Sequence, residues 1–226
     1  IRDGLPCEAY YAADTPPPGA EPLARLLETA GEPPAVQVDE DDTAFIMYTS
    51  GTTGRPKGAE GTHVGIVNSA ISFARCMGLR DAERTLVAVP LFHVTGLIAQ
   101  FFTMAYLGGT TVVMPMFNAA EAPRRIDEER STHIVAAPTV YVMLMMEPGY
   151  RARGRSLRVL GYGGAPIPPD TVRALREWLP HARLHNAYGM TETCSPTTVL
   201  PDADALSRIS SVGWPIPTAE VRTVNA

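Results

Sequence analysis

The sequence has few of the residues that mark several classes of protein. Its three cysteines, Cys7, Cys76 and Cys194, are odd in number and form no CxxC pair. This pattern favours free thiols in a reducing compartment over a disulfide framework. The chain has no apolar run near the roughly eighteen residues of a membrane span, and no charged-then-apolar leader opens it. We therefore expect a cytoplasmic protein without a membrane span.

Positive charge is also scarce, and lysine is almost absent. The formal net charge is −5, and 19 of the 226 residues are lysine or arginine. Such a chain offers no basic footprint for nucleic acid. The short basic run at 151–158, RARGRSLR, has no interleaved aromatic residues and is typical of a solvated loop. Lys57 is the only lysine, against eighteen arginines, so its position is informative.

The order of apolar and polar segments predicts an α/β fold. Residues 1–43 are rich in proline and acid and predict an irregular connecting segment around a short helix at 21–30. In residues 44–226, apolar strands alternate with helices, which predicts a mainly parallel sheet covered by helices on both faces. The predicted strands are 44–50, 84–90, 110–115, 133–138, 157–163 and 182–189, and the predicted helices are 62–78, 95–108, 119–130, 139–146 and 169–179.

A parallel sheet binds ligands beyond the carboxyl ends of its strands. The segments that follow the predicted strands are SGTTGRPKG, PLFHVTG, APTVY, YGGAPIP and YGMTET. Most of them combine small residues with one distinctive polar or aromatic side chain. We expect these segments to form one site.

The segment YTSGTTGRPKG at 48–58 allows two interpretations. It could be a tight glycine-rich turn between two strands, or a loop that holds phosphates. Its hydroxyl side chains and backbone N–H groups can converge on an anion, and Lys57 is a compact charge where an arginine fork would be too wide. The Walker A spacing is absent, so kinase-like or GTPase-like chemistry is not implied.

All eleven residues of this segment resemble the signature loop of the adenylate-forming, AMP-binding enzymes, which include acyl- and aryl-CoA ligases, nonribosomal-peptide adenylation domains and luciferases. The resemblance continues through PLFHVTG at 90–96, YGGAPIP at 162–168, NAYGMTET at 186–193 and VGWPIP at 212–217. It implies the α/β fold of the large N-terminal domain of acyl-CoA synthetases. The chain is expected to be a fragment of that domain, without the small C-terminal domain.

The resemblance also implies roles for individual residues. Phosphate binding falls to Thr49, Ser50, Gly51, Thr52, Thr53, Gly54 and Lys57. The adenine and acyl pockets are lined by Gly163, Gly164, Ala165 and Pro166. The remaining nucleotide contacts come from Asn186, Ala187, Tyr188, Gly189, Met190 and Thr191.

Three side chains in these segments also have a physical interpretation. A tyrosine at a strand end, Tyr188, offers a flat face to a purine, and Glu192 is a hard oxygen ligand of the kind that Mg²⁺ prefers. Thr191 can donate to the α-phosphate, although Thr191 or Thr193 could instead cap a helical turn.

His93 and its neighbours bear on the class of carboxylic acid that the protein would bind. A histidine between a strand and a helix is most often structural, but the resemblance implies that it lines or gates the tunnel for the carboxylate substrate. Amino-acid-activating relatives have an aspartate in this stretch, whereas this sequence reads FHVT. A carboxylic acid without an α-ammonium group is favoured, and medium-chain, long-chain and aromatic acids all fit.

The implied reaction uses ATP, Mg²⁺ and coenzyme A to convert a carboxylic acid first to an acyl-adenylate and then to a thioester. The resemblance implies a second catalytic lysine, which these 226 residues lack, so we expect them to have little or no activity alone. Two alternatives stay open: an adenylation domain that loads a carrier protein, and a non-catalytic nucleotide-binding module. A homodimer is possible.

Overall fold

The computed structural model describes residues 11–12, 15–16, 18–28, 31–32, 35–50 and 54–224. The chain forms two compact units, residues 1–38 and residues 39–226. In the first unit, strand β1 (Tyr11–Ala12) pairs in parallel with β2 (Glu21–Pro22), and helix α1 (Leu23–Leu27) follows directly. Residues 29 and 30 at the end of the predicted helix lie outside the described residues.

The second unit begins with a hairpin. Strand β3 (Thr43–Thr49) pairs antiparallel with β4 (Lys57–Thr62), and Thr49 lies opposite Lys57. Helix α2 (His63–Cys76) follows without a linker, because the Thr62 side chain accepts the Gly65 N–H at 3.1 Å and so caps the helix.

A seven-stranded sheet forms the centre of this unit. Its strands are β5 (Arg84–Val87), β6 (Thr110–Val113), β7 (His133–Ala136), β8 (Val159–Gly163), β9 (Arg183–Met190), β10 (Ser195–Leu200) and β11 (Trp214–Pro215). They lie in the order β11-β10-β9-β8-β7-β5-β6. Strands β5 to β9 are parallel, while β10 and β11 are antiparallel to their neighbours.

Helices connect the parallel strands. Between β5 and β6, helix α3 (Val94–Gly96), a π-helical turn (Leu97–Phe102) and α4 (Thr103–Leu107) form one continuous helical stretch. The other connections contain α5 (Ala122–Glu128), α6 (Pro138–Met146), a 3₁₀ turn (Tyr150–Ala152) and α7 (Pro169–Trp178). Two further 3₁₀ turns, Thr191–Thr193 and Asp202–Asp204, flank β10. Among the described residues, no helix combines the length and apolarity that crossing a membrane would take.

Both faces of the sheet are buried, as predicted. On β8, Leu160 packs into a core with α5, α6 and α7, while its neighbour Val159 packs on the other face with Phe73 and Met77 of α2. Successive side chains of a strand point to opposite faces, so the nearly continuous apolar strands reflect burial on both sides.

The predicted strands and helices of the parallel sheet are present at close to the predicted positions. The predicted strands 84–90, 110–115 and 133–138 each end in a proline: Pro90, Pro115 and Pro138. The observed strands end before these residues, because proline has no N–H to donate to a neighbouring strand. Strands β1, β2, β4, β10 and β11 were not predicted.

The first predicted strand lies elsewhere than the sequence suggested. It forms β3, but it pairs with β4 in a separate two-stranded sheet rather than with the parallel strands. The glycine-rich segment is therefore a hairpin connection between two strands. This placement corresponds to the interpretation of the segment as a turn between two strands. It does not test whether the segment binds phosphates.

Candidate active site

Two adjoining cavities lie at the carboxyl ends of β8 and β9. The first has a volume of about 150 Å³ and the second about 480 Å³. The two share the backbone of Gly163 and Gly164 after β8 and that of Ala187 to Gly189 at the end of β9. This is the edge of a parallel sheet at which ligand sites are expected.

The glycines at this edge allow the two strand ends to approach closely. A Cβ on Gly163 would lie 2.1 Å from the Ala187 carbonyl oxygen, and one on Gly189 would lie 1.8 Å from that of Ser195. Neither position can accept a side chain without moving backbone. The sequence Gly163-Gly164 therefore has a packing reason beside any contact with a ligand.

The first cavity contains His93. Its Nδ1 accepts the backbone N–H of Thr95 at 3.1 Å, so the ring caps helix α3 and the neutral ring carries its proton on Nε2. Desolvation by partial burial lowers the pKa of His93, although the residue keeps access to solvent. A neutral ring with a free N–H can donate to a carboxylate in the cavity.

Both apolar side chains and the polar residues Thr95, Thr191 and Ser195 line the rest of the first cavity. Phe73 from α2, Ala99 from the π-helical turn and Val135 from β7 line it together with Val94. The π-helical turn also places Gln100 in the core, where its Oε1 accepts from the Thr85 hydroxyl at 2.9 Å. The sequence did not identify the apolar residues that line this cavity, because a pattern of apolar residues does not distinguish those in the core from those in a cavity wall.

The second cavity contains the remaining residues of the YGGAPIP and NAYG segments. Ala165, Pro166 and Asn186 line it, and the segment 209–212 forms its far wall. The Asn186 side chain donates to the Ser211 carbonyl at 3.0 Å, so this amide holds the wall in place. Ile209 and Ser210 were not predicted; the only sequence signal was their position just before VGWPIP.

Tyr188 lies where the two cavities meet. The residue lines both of them and is 44% exposed. No hydrogen bond of its hydroxyl occurs within the described residues. One face of the ring is therefore available for a planar ligand.

The 3₁₀ turn Thr191–Thr193 separates the two threonines that the sequence left as alternatives. The Thr193 hydroxyl accepts the Met190 N–H at 3.0 Å and lies 2.9 Å from the Ser195 carbonyl oxygen, so Thr193 holds the turn. Thr191 lines the first cavity, and its hydroxyl makes no hydrogen bond within the part of the chain that the structure describes. Thr193 is thus structural and Thr191 is free to bind.

Glu192 is exposed and has neither a hydrogen bond nor an ion pair among the described residues. The same residues contain no cluster of three or more His, Cys, Asp or Glu side chains that could hold a metal ion. A site with a single carboxylate fits Mg²⁺, which keeps several waters and is held by one or two carboxylates and the phosphates of its substrate.

The hairpin carries Lys57 at the start of β4, where the side chain is exposed and has no ion pair within the described residues. Lys57, Thr49, Ser50 and Gly54 line neither cavity, while Gly51, Thr52 and Thr53 lie outside the described residues. The other end of β4 packs against the turn Thr191–Thr193, so the hairpin and the turn belong to one region.

A family model described as AMP-binding enzyme matches residues 4–226 of the chain. Over 221 residues the chain is 36% identical to a 2-succinylbenzoate–CoA ligase of Bacillus pumilus, covering 95% of this chain and 44% of that protein. Over 203 residues it is 36% identical to a feruloyl-CoA synthase of Amycolatopsis, covering 89% and 41%. The chain thus spans less than half the length of these curated relatives.

Solved structures show the same relationship. The inhibitor-bound N-terminal domain of FACL13 from Mycobacterium tuberculosis superposes with a TM-score of 0.79 at 33% identity, covering 86% of this chain and 48% of that one. The o-succinylbenzoate CoA synthetase of Bacillus subtilis in complex with ATP and magnesium has a TM-score of 0.76 at 32% identity, covering 88% and 41%.

Proposed function

The chain belongs to the AMP-binding enzyme family, and from that premise we propose that the protein activates a carboxylic acid with ATP. A carboxylate oxygen attacks the α-phosphorus, which forms an acyl-adenylate and releases pyrophosphate. The thiol of coenzyme A then attacks the acyl carbon and loses its proton, AMP leaves, and a thioester remains. The pair of adjoining cavities that share Tyr188 and Gly189 carries this proposal.

In this proposal the second cavity takes the adenine. The exposed ring of Tyr188 stacks on the base, and the backbone of Gly164 to Pro166 lies along its edge. Base–aromatic stacking suits a site of this kind, because it needs a flat face and an open wall rather than a charge.

The phosphates lie between the cavities and the hairpin. Thr191 donates its free hydroxyl to the α-phosphate, and Lys57 with the hydroxyls of its loop binds the β- and γ-phosphates. Bound to Glu192, Mg²⁺ would neutralise phosphate charge. No protein nucleophile is needed, since catalysis of this kind rests on positioning and on charge stabilisation.

The acid occupies the first cavity, where His93 Nε2–H donates to its carboxylate. The cavity has a volume of about 150 Å³, which is room for a benzene-sized group, and Phe73, Ala99 and Val135 form its apolar wall. We propose an aromatic or short-chain acid. Two of the relatives have names that refer to aromatic acids, 2-succinylbenzoate and ferulate.

Full activity needs more than these 226 residues. The second lysine that the resemblance implies is absent, because Lys57 is the only lysine. We propose that the 226 residues alone bind nucleotide but adenylate slowly. A fast ATP–pyrophosphate exchange by these residues alone would contradict this.

The test is AMP release by the intact protein, with ATP, Mg²⁺ and a panel of single-ring aromatic, short-chain, medium-chain and long-chain acids, each with and without CoA. Release that needs both a single-ring or short-chain acid and CoA is the expected result. A preference for long-chain acids would contradict the proposed acid class.

The same assay separates the alternative functions. Adenylate formation that CoA does not discharge would favour a carrier protein as acceptor. Binding of ATP without exchange under any condition would favour a non-catalytic module and would overturn the proposal.

A further inference from the structure

The chain leaves the turn Thr191–Thr193 through two residues with unusual backbone angles. Cys194 has φ of 52° and Ser195 has φ of 91°, although neither is a glycine. Left-handed conformations of such residues cost on the order of 1–3 kcal/mol each and persist only where the surrounding structure holds them. Something must therefore fix this pair next to Thr191 and Glu192.

Helix α2 supplies the contacts that hold Cys194. The hydroxyl of Ser69, which is only 4% exposed, donates to the Cys194 carbonyl at 2.6 Å, across 125 residues of sequence. No other element of the described chain donates a side-chain hydrogen bond to this carbonyl.

Two glycines make room for the Cys194 side chain. A Cβ on Gly61, at the end of β4, or on Gly65, one turn before Ser69, would lie 2.9 Å from its Sγ. The thiol is thus seated between β4 and α2, and the carbonyl is bound by α2. We call this set of residues, Gly61, Gly65, Ser69 and Cys194, the clasp.

The clasp connects the two parts of the candidate active site. On one side, α2 continues directly from β4, which begins at Lys57. On the other, Cys194 directly follows the turn that carries Thr191 and Glu192. The clasp therefore links the turn that carries Glu192 to the hairpin that carries Lys57, in addition to the hydrogen bonds of Thr193 within the turn.

We propose that Ser69 is a positioning residue: by binding the Cys194 carbonyl it fixes the left-handed pair 194–195 and so the orientation of Glu192 and Thr191 toward the nucleotide. This inference rests on the proposed function, in which Glu192 carries Mg²⁺. Ser69 itself is buried in α2 and lines neither cavity.

The first measurement is ATP binding by the intact protein at a series of Mg²⁺ concentrations, for the unmodified protein, Ser69→Ala and Ser72→Ala. Ser72 is the matched control, a serine of the same helix that is 1% exposed and has no hydrogen bond to Cys194. Loss of an outer-shell partner weakens metal affinity by about tenfold or more. We expect Ser69→Ala to raise the Mg²⁺ concentration for half-maximal effect by that factor and to leave Mg²⁺-free binding unchanged.

The second measurement reports on the clasp without reference to function. The 226-residue chain with Cys7→Ser and Cys76→Ser keeps one thiol, Cys194, whose burial slows alkylation. Ser69→Ala is expected to speed alkylation several-fold relative to Ser72→Ala, because the freed carbonyl lets the pair 194–195 relax.

The outcomes distinguish a failure of the positioning role of Ser69 from a failure of the proposed function. Faster alkylation with an unchanged Mg²⁺ requirement would overturn the positioning role while the proposed function stands. Equal effects of Ser69→Ala and Ser72→Ala in both measurements would overturn it as well. If the unmodified protein shows no ATP binding at any Mg²⁺ concentration, the proposed function fails first and the positioning role fails with it.

Discussion

Lys57 is the residue on which the phosphate part of the proposal depends. Its side chain is exposed at the start of β4, without an ion pair in the described structure. An unpaired, exposed lysine contributes little to folding, so we expect its substitution to leave stability unchanged.

We predict that Lys57→Ala weakens ATP binding by roughly tenfold or more, since a charge-assisted hydrogen bond contributes about 1.5–3 kcal/mol. Lys57→Arg should restore only part of the affinity, because the planar fork does not replace a compact ammonium group. Isothermal calorimetry with ATP gives the comparison. Arg55→Ala, which removes another exposed cation of the same hairpin, serves as the control, and an equal loss in that variant would contradict a specific role.

His93 combines a structural and a binding role that two substitutions can separate. Asparagine is among the best N-cap residues, whereas alanine loses about 1 kcal/mol of capping energy. We predict that His93→Asn keeps stability near that of the unmodified protein but raises the KM for the acid, while His93→Ala lowers stability as well. Thermal unfolding and acid-dependent AMP release report the two effects; a normal KM in His93→Asn would remove the ring from the acid site.

At this scale the sequence predicted which residues of the loops after β8 and β9 would meet. Tyr188 and Thr191 were identifiable because each has a distinctive side chain near a strand end, whereas Gly163 was assigned through the family resemblance. The different roles of Thr191 and Thr193 could not be predicted from the sequence, since they depend on the conformation of one 3₁₀ turn. Phe73 and Val135 were hidden among ordinary apolar residues.

Helix α2 contains Gly65, and a glycine within a helix is normally destabilising. Replacing a glycine in a helix by alanine stabilises it by about 1 kcal/mol, but a Cβ on Gly65 would meet the Cys194 sulfur at 2.9 Å and the Thr62 hydroxyl at 3.1 Å. The effect of Gly65→Ala on the free energy of unfolding therefore depends on its contact with Cys194 in the clasp.

We predict that Gly65→Ala destabilises the protein, and that the same substitution in a Cys194→Ala background is neutral or stabilising. The sulfur is then gone, which leaves the Thr62 hydroxyl at 3.1 Å and the Cβ of residue 194 at an ordinary 3.5 Å. A double-mutant cycle of urea unfolding measures the coupling. Additive effects of the two substitutions would show that Gly65 and the thiol do not meet.

The elements that the sequence predicted share one property. Strands β5 to β9 are apolar on both faces and alternate with helices, so their composition alone identifies them. Strand β4, KGAEGT, has almost no apolar residue, and β10 contains Pro196, which argues against an interior strand. Their pairing depends on neighbours, β3 and β9, that lie beside them in the folded chain.

For the whole second unit, the proposed phosphate site depends on antiparallel elements beside the parallel sheet. The parallel strands supply the two cavities, whereas β3 and β4 supply Lys57 and part of the clasp, and β10 supports the strained exit from the turn. A sequence pattern predicts layers and the edge of a sheet, but the meeting of α2 with Cys194 is a contact across 125 residues, which local patterns do not contain.

The same unit buries two histidines without hydrogen-bond partners for either ring nitrogen among the described residues. Burial lowers the pKa of His133 on β7 to about 4, helped by Arg158 and opposed by the Glu83 carboxylate. A buried imidazole that cannot be charged makes folding sensitive to acid.

His185 on β9 behaves in the same way. Burial lowers its pKa to about 4, helped by Arg183 and opposed by Asp202 and by the nearby backbone of Leu200. In the unfolded chain both rings have a pKa near 6.5. Between pH 6.5 and 4 the unfolded state therefore binds more protons than the folded state, so full stability is present above about pH 6.5 and is lost as the pH falls.

We predict a loss of roughly 2–3 kcal/mol per histidine between pH 7 and pH 4.5, since each unit of pKa difference corresponds to about 1.4 kcal/mol. Urea unfolding at several pH values measures it. His133→Asn should lose its share of the pH dependence whatever it does to stability at pH 7, while His181→Asn, at an exposed position, should keep the full dependence. If the stability of the unmodified protein is flat across this range, the two rings accept protons in the folded state and the packing around β7 and β9 is looser than described.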